Sequence, residues 1–169
     1  LRAVRAAVPV PVLRKDFLID ALQVAEARDA GADAVLLMVS MLSPEALIEL
    51  LAATRALGME ALVEAHSAAE LQIALSCGAR VVGVNNRNLE DFSVDIQRSL
   101  DVLPQLPTEM VKVSESGISK PEAIITLKAA GFNGFLVGEA FMKHANPGQA
   151  CRRLVKAVNA GAAPKSGNG

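Results

Sequence analysis

A set of chemically capable side chains in this chain follows directly on short apolar runs. Lys15 and Asp16 come after Val10–Leu13, Ser40 after Ala34–Val39, and Glu64 and His66 after Ala61–Val63. Asn85 and Arg87 follow Val81–Val84, Glu115 and Ser116 follow Val111–Val113, and Gly138 and Glu139 close Gly134–Val137. An ammonium can give up a proton and a carboxylate can take one, so Lys15 and Glu64 are candidates for acid and base work. Arg87 matches a carboxylate geometrically, by bidentate contact. Any one of these residues reads equally well as a helix cap or a solvated loop residue. That reading weakens for the set, because Lys15, Glu64 and Asn85 each follow immediately on an apolar strand and are expected to point toward one mouth.

The last two runs carry a second signal. "SESGIS" and "LVGEAF" place Ser116, Gly117 and Gly138 beside expected helix starts. Backbone N–H groups at such turns bind phosphate, and glycine lets the backbone approach it closely. A phosphorylated small molecule is the expected ligand, with tight turns alone as the other reading of these glycines. Glu139 is the awkward member, since a carboxylate repels phosphate. Its backbone N–H is expected to face the anion and its side chain to turn away.

The elements that would position these residues repeat. "AGADAVLLMVS", "LGMEALVEAHS", "CGARVVGVNNR" and "AGFNGFLVGEA" are versions of one phrase: a glycine, a short apolar run, then polar or small residues. Gly31, Gly58, Gly78 and Gly131 suit positions just past a helix, where positive φ costs glycine least. The Val- and Leu-rich runs do not alternate, which fits strands buried on both faces. "VPVLRKDF" and "MVKVSESG" supply two more strands. Helical patterns lie between, one opened by Ser43 and Pro44, another by Ser67 with Glu70 in capping-box spacing. Strict strand–helix alternation implies parallel strands with right-handed crossovers. A repeat of roughly 25 residues is that of a (β/α)8 TIM barrel, which takes about 250 residues in all. The expectation is an α/β chain forming an incomplete barrel over residues 1–160, with about two N-terminal βα units lying outside this sequence and a flexible tail over 161–169. In such barrels function sits at the C-terminal ends of the strands, and phosphate sites follow the last two.

Composition narrows the function classes. The chain has 169 residues, is 51% hydrophobic and has no Trp or Tyr. Its net charge is −1, with no basic stripe, so nucleic-acid binding has no support. No apolar run approaches the roughly 18 residues of a membrane helix. Cys77 and Cys151 are isolated within helical patterns and read as reduced thiols. With His66 and His144 they give no metal-site spacing. A reducing cytoplasm is the expected compartment. His66 reads as a polar loop residue near the site, with a proton shuttle as the alternative, and His144 has no catalytic role.

The segments "VLRKDFLID", "GADAVLLMVSML", "ALVEAHSAAEL", "GVNNRNLEDFSVD", "VSESGIS" and "GFLVGEAFM" together closely resemble the indole-3-glycerol-phosphate synthase family of tryptophan biosynthesis. The resemblance runs from about Pro9 to the final helix. It implies a carboxy-lyase that closes the ring of 1-(2-carboxyphenylamino)-1-deoxyribulose 5-phosphate, with loss of CO₂ and water, to give indole-3-glycerol phosphate. It implies no metal or organic cofactor. By the same resemblance Lys15 is the general acid, Glu64 a base or proton carrier, and Asn85 orients the reacting groups. Arg87 neighbours the anthranilate carboxylate, and Phe17 forms an apolar wall of the aromatic pocket. Glu115 and Ser116 contact substrate, while Ser116, Gly117, Gly138 and Glu139 bind phosphate. Fusion or association with other enzymes of the pathway is the expectation for partners. The family also places a glutamate and a second lysine on a first strand that this sequence does not include.

Two other readings compete. The isomerase of the same pathway would want a Cys and an Asp at strand ends, and neither cysteine is at one. A non-catalytic phosphate-binding barrel fragment is the alternative from a different class.

Overall fold

The computed structural model describes residues 1–88 and 91–161. The chain begins with helix α1 (Arg2–Ala7) and then alternates: β1 (Leu13–Arg14), α2 (Ala21–Asp29), β2 (Ala34–Met38), α3 (Pro44–Ala56), β3 (Glu60–Ala65), α4 (Ala68–Ser76) and β4 (Val81–Asn85). It continues with α5 (Gln97–Val102), β5 (Val111–Glu115), α6 (Pro121–Ala130), β6 (Gly134–Leu136), α7 (Glu139–Met142) and α8 (Pro147–Gly161). The six strands follow one another in sequence order in one sheet. The chain divides into two compact units, Leu1–Gly83 with Pro107–Val111, and Val84–Leu106 with Lys112 onward.

In the first unit β1, β2 and β3 pair in parallel, with Leu13 opposite Ala34 and Met38 opposite Glu64. Val35, Leu36, Leu37, Ala61, Leu62 and Val63 are all buried, so these strands are covered on both faces, as their unbroken apolar runs imply. α3 packs on β2 and β3, α4 on β3 and α2 on α3, burying Val24 and Ala27 of α2, Leu47, Leu50 and Leu51 of α3, and Leu71 and Ala74 of α4. The helix starts have identifiable causes. Ser43 accepts from Ala46 N at 3.2 Å, with Pro44 at the first helical position, and Ser67 accepts from Glu70 N at 3.2 Å. The helix ends do too: Gly31, Gly58, Gly78 and Gly131 carry φ of 89, 69, 83 and 120°.

Two local expectations are corrected. The first strand is Leu13–Arg14, not Val10–Leu13. Pro9 and Pro11 have no N–H to give to a ladder, and Val12 N donates to the Asp33 side chain at 2.7 Å instead. Ser67 and Glu70 do not form a reciprocal capping box either, because Glu70 Oε2 accepts from His66 N at 2.7 Å. A true box lies in α2. There Asp20 accepts from Leu22 N at 2.7 Å, and Gln23 Oε1 accepts from Asp20 N at 3.2 Å.

In the second unit β5 and β6 pair in parallel, with Glu115 opposite Leu136. Ile124 and Leu127 of α6 are buried with Leu106, Ile118 and Phe132. Gly161 is the last residue of α8, and the rest of the tail expected over 161–169 lies outside the described residues. No described helix is long and apolar enough to cross a membrane.

Candidate active site

In the first unit the ends of β1 and β3 bring charges together. Arg14 turns toward α2, where Nη1 donates to Gln23 O at 2.8 Å. Side chains alternate along a strand, so the next residue, Lys15, projects to the other face. There its Nζ lies 3.1 Å from Glu64 Oε2. Glu64 closes the apolar run of β3 and is only 2% exposed, whereas the Lys15 side chain is 46% exposed. A carboxylate buried that deeply stays ionised only if cations or donors face it. A second cation-forming group does so: His66 Nε2 lies 3.1 Å from Glu64 Oε1.

His66 lies in the bend after β3, beside the site. Its side chain is 9% exposed, with Nδ1 3.5 Å from Glu70 Oε2. The Glu64 carboxylate close to Nε2 raises the imidazole's pKa above its ordinary value, against the effect of burial, and the charge of Glu70 adds to the rise. Asp16 has a local role, pairing with Arg14 at 3.3 Å and accepting from Phe17 N at 2.9 Å. Ser40 is exposed on the turn after β2. Phe17, on the loop between β1 and α2, is 62% exposed, next to exposed Ile19.

In the second unit a buried polar cluster shapes the ends of β4 and β5. Asn85 Oδ1 accepts from Arg87 N at 3.0 Å, fixing how the chain leaves β4. Asn86 is fully buried, and its amide donates to Ser114 Oγ at 3.0 Å and to Ser116 O at 3.1 Å. Its Oδ1 accepts from Ser99 N at 3.2 Å and from Ser99 Oγ at 2.8 Å. The two hydroxyls of Ser99 and Ser114 are 2.8 Å apart. Glu115 is buried, and its carbonyl accepts from Asn86 N at 2.9 Å.

This cluster holds an unusual turn. Ser116 has φ of 65° and Gly117 of 72°. A non-glycine residue in the left-handed region costs energy and persists only where its surroundings enforce it. At Gly117 a Cβ would come within 2.1 Å of Val94 Cγ1, so that position requires glycine. The turn is not at a helix start, as α6 begins only at Pro121 with Lys120 as its cap. Gly138 does cap a helix, the short α7.

Arg87 and Glu139 meet directly: Arg87 Nη2 lies 2.8 Å from Glu139 Oε2, and Lys143 Nζ lies 2.7 Å from Oε1. The hydrogen bond from Lys143, then its charge, then Arg87, hold the Glu139 carboxyl below its usual range. The carboxylate expected to disfavour phosphate is therefore matched by two cations.

The model of the indole-3-glycerol phosphate synthase family matches residues 1–154. The chain belongs to this family. An indole-3-glycerol phosphate synthase of Variovorax paradoxus is 51% identical over 156 residues, which are 92% of this chain and 59% of that protein. One of Kineococcus radiotolerans is 50% identical over 157 residues, 93% of this chain and 57% of the relative. The chain thus spans less than two thirds of the curated relatives it matches. Among solved structures, 3-hexulose-6-phosphate synthase from Salmonella typhimurium superposes with a TM-score of 0.79 at 18% identity, covering 94% of this chain and 78% of its own. KGPDC from Streptococcus mutans gives 0.73 at 13% identity, covering 94% and 77%. At these identities the likeness concerns fold alone, and it supports the incomplete (β/α) barrel expected from the strand–helix repeat.

Within the family frame, the structure joins Lys15 to Glu64 and Arg87 to Glu139, and puts Asn85 and Ser116 at the ends of their strands. Sequence reading passed over Asn86 and the contact of His66 with Glu64. The partners of Asn86 lie 13 and 28 residues away, so no local pattern announces it. His66 had a signal, a histidine two residues after a strand-end carboxylate and four before Glu70.

Proposed function

We propose that the whole protein is an indole-3-glycerol-phosphate synthase of tryptophan biosynthesis. It closes the ring of 1-(2-carboxyphenylamino)-1-deoxyribulose 5-phosphate with loss of CO₂ and water, and so acts on a small phosphorylated aromatic substrate. The observation that carries this reading is the family match across residues 1–154. The geometry supports specific roles. As the aromatic carbon attacks the ketose carbonyl, the Lys15 ammonium gives its proton to the developing alkoxide. Loss of CO₂ then leaves a flat apolar ring, for which exposed Phe17 offers a wall. Loss of the hydroxyl needs an acid, and loss of the ring proton needs a base. Lys15, its proton restored from solvent at its half-exposed side chain, serves as the acid and Glu64, 3.1 Å away, as the base. Asn85 orients the reacting groups.

Arg87 takes the substrate carboxylate. Its guanidinium has five N–H donors; Nη2 donates to Glu139 and Nη1 to Phe92 O at 3.4 Å, and the remaining N–H groups serve the carboxylate. Ser116, Gly117, Gly138 and Glu139 hold the phosphate mainly through backbone N–H groups, and Glu115 lines the same sector. The left-handed geometry at Ser116–Gly117 favours this role, since strain of this kind gathers at ligand clamps.

The test is to supply the full-length protein with this substrate and follow indole absorbance together with released CO₂. Formation of both, in equal amounts, is the expected result. A folded full-length protein that binds inorganic phosphate but releases neither product would favour the non-catalytic reading.

A further inference from the structure

We propose that His66 is a positioning residue for Glu64, holding one carboxylate oxygen while Lys15 holds the other. The proposal rests on the reading of Glu64 as the catalytic base. Lys15 makes an unsteady partner. It is on a long stem, nearly half exposed, and in ring closure it gives up the proton that makes it a cation. At that moment a carboxylate only 2% exposed would lose the charge that Lys15 offers it. The imidazole has neither weakness. His66 Nε2 sits 3.1 Å from Glu64 Oε1, and Lys15 Nζ lies 3.1 Å from Oε2.

The ring is itself anchored. Glu70 Oε2 accepts from His66 N at 2.7 Å and lies 3.5 Å from Nδ1, a distance at which attraction is mainly through charge. Glu70 is fixed in turn by α4, where its own N–H donates to the Ser67 cap. A helix cap, a carboxylate, an imidazole and the base thus form one connected chain. The spacing behind it is short: Glu64, His66, Ser67 and Glu70 lie within one strand end and the first turn of one helix.

The charge state agrees with the geometry. The groups facing the imidazole are Glu64 from β3 and Glu70 from α4, with Lys15 beyond Glu64. The turn Val39–Met41 that packs on both elements brings no titratable side chain. With its pKa raised, His66 is a cation below that value and loses its charge as pH rises through it. A protonated ring presents its positive charge to both carboxylates, which suits a fixed clamp better than a shuttle that must change charge in each turnover.

Two measurements test this. In the full-length protein, His66→Gln keeps an N–H donor but no charge, and His66→Ala removes both. We expect His66→Ala to lower kcat roughly tenfold or more, a fraction of what a base itself contributes, with KM little changed. His66→Gln is expected to fall between, and to lose the part of the alkaline limb of the kcat profile that reports imidazole deprotonation. Wild-type kcat and an unchanged profile in both variants would overturn the proposal, provided the parent is active. A parent with no ring-closing activity would instead count against the synthase reading. The second measurement separates the two cases and needs no turnover. NMR titration of His66 should show a pKa above the ordinary imidazole value that falls in Glu64→Gln and falls less in Glu70→Gln. A titration unmoved by Glu64→Gln would overturn the clamp itself.

Discussion

Replacing Asn86 by alanine tests how the turn at Ser116 is held. The side chain makes four contacts: donation to Ser114 Oγ and Ser116 O, and acceptance from Ser99 N and Ser99 Oγ. Their loss is uneven. Ser99 N also donates to Ile96 O at 3.1 Å, and the Ser99 and Ser114 hydroxyls keep each other at 2.8 Å. Ser116 O loses its amide donor, at a residue already in the left-handed region. Two or three buried hydrogen bonds at about 1 kcal/mol each, plus a carbonyl deprived of a partner, give a cost of about 3 kcal/mol. For a protein of 150–250 residues that lowers Tm by about 6–12 °C. Asn86→Asp should be no better, because it buries a charge and turns a lone pair toward Ser116 O. Differential scanning calorimetry of the full-length protein reads both variants. A shift below about 2 °C in Asn86→Ala would refute the claim that this amide carries the turn.

Gly117→Ala should be costlier than an ordinary surface change, by more than about 1 kcal/mol, since it adds a Cβ 2.1 Å from Val94 Cγ1 at positive φ. Inorganic phosphate should bind it more weakly in calorimetric titration, and unchanged affinity would remove Gly117 from the phosphate site. NMR titration should find Glu139 below the ordinary carboxylate range, so that its pairing is present above the ordinary value and lost as pH falls through the depressed one. Lys143→Met should raise it more than Arg87→Ala does. Arg87→Ala in the full-length protein should raise KM more than it lowers kcat, because the substrate carboxylate is present before any chemistry. The reverse split would move Arg87 from binding to the transition state.

The parts legible in the sequence were those set by local chemistry. Glycines with positive φ mark the helix ends, and the Val- and Leu-rich runs mark strands covered on both faces. Lys15, Glu64, Asn85 and Ser116 stand out because each interrupts or closes such a run. What escaped depends on distant partners or on competition for a hydrogen bond. The first strand starts late because two prolines leave Val12 to bond with Asp33, 21 residues on. Glu70 has the spacing of a capping box, yet His66 N takes its carboxylate. Asn86 is invisible next to Asn85 because its importance comes from Ser99 and Ser114, which only folding brings near.

The most direct test of the Lys15–Glu64 pair is single-turnover ring closure by Lys15→Met in the full-length protein, with Tm measured on the same sample. The substitution keeps the stem of the side chain and removes the ammonium 3.1 Å from Glu64 Oε2. If Lys15 is the acid, the chemical step slows by about 10²-fold or more, and Tm falls only to the extent that buried Glu64 loses one facing cation while His66 stays 3.1 Å from its other oxygen. A Lys15→Met protein with a lowered Tm and a wild-type rate of ring closure would contradict the account, leaving the pair a structural contact.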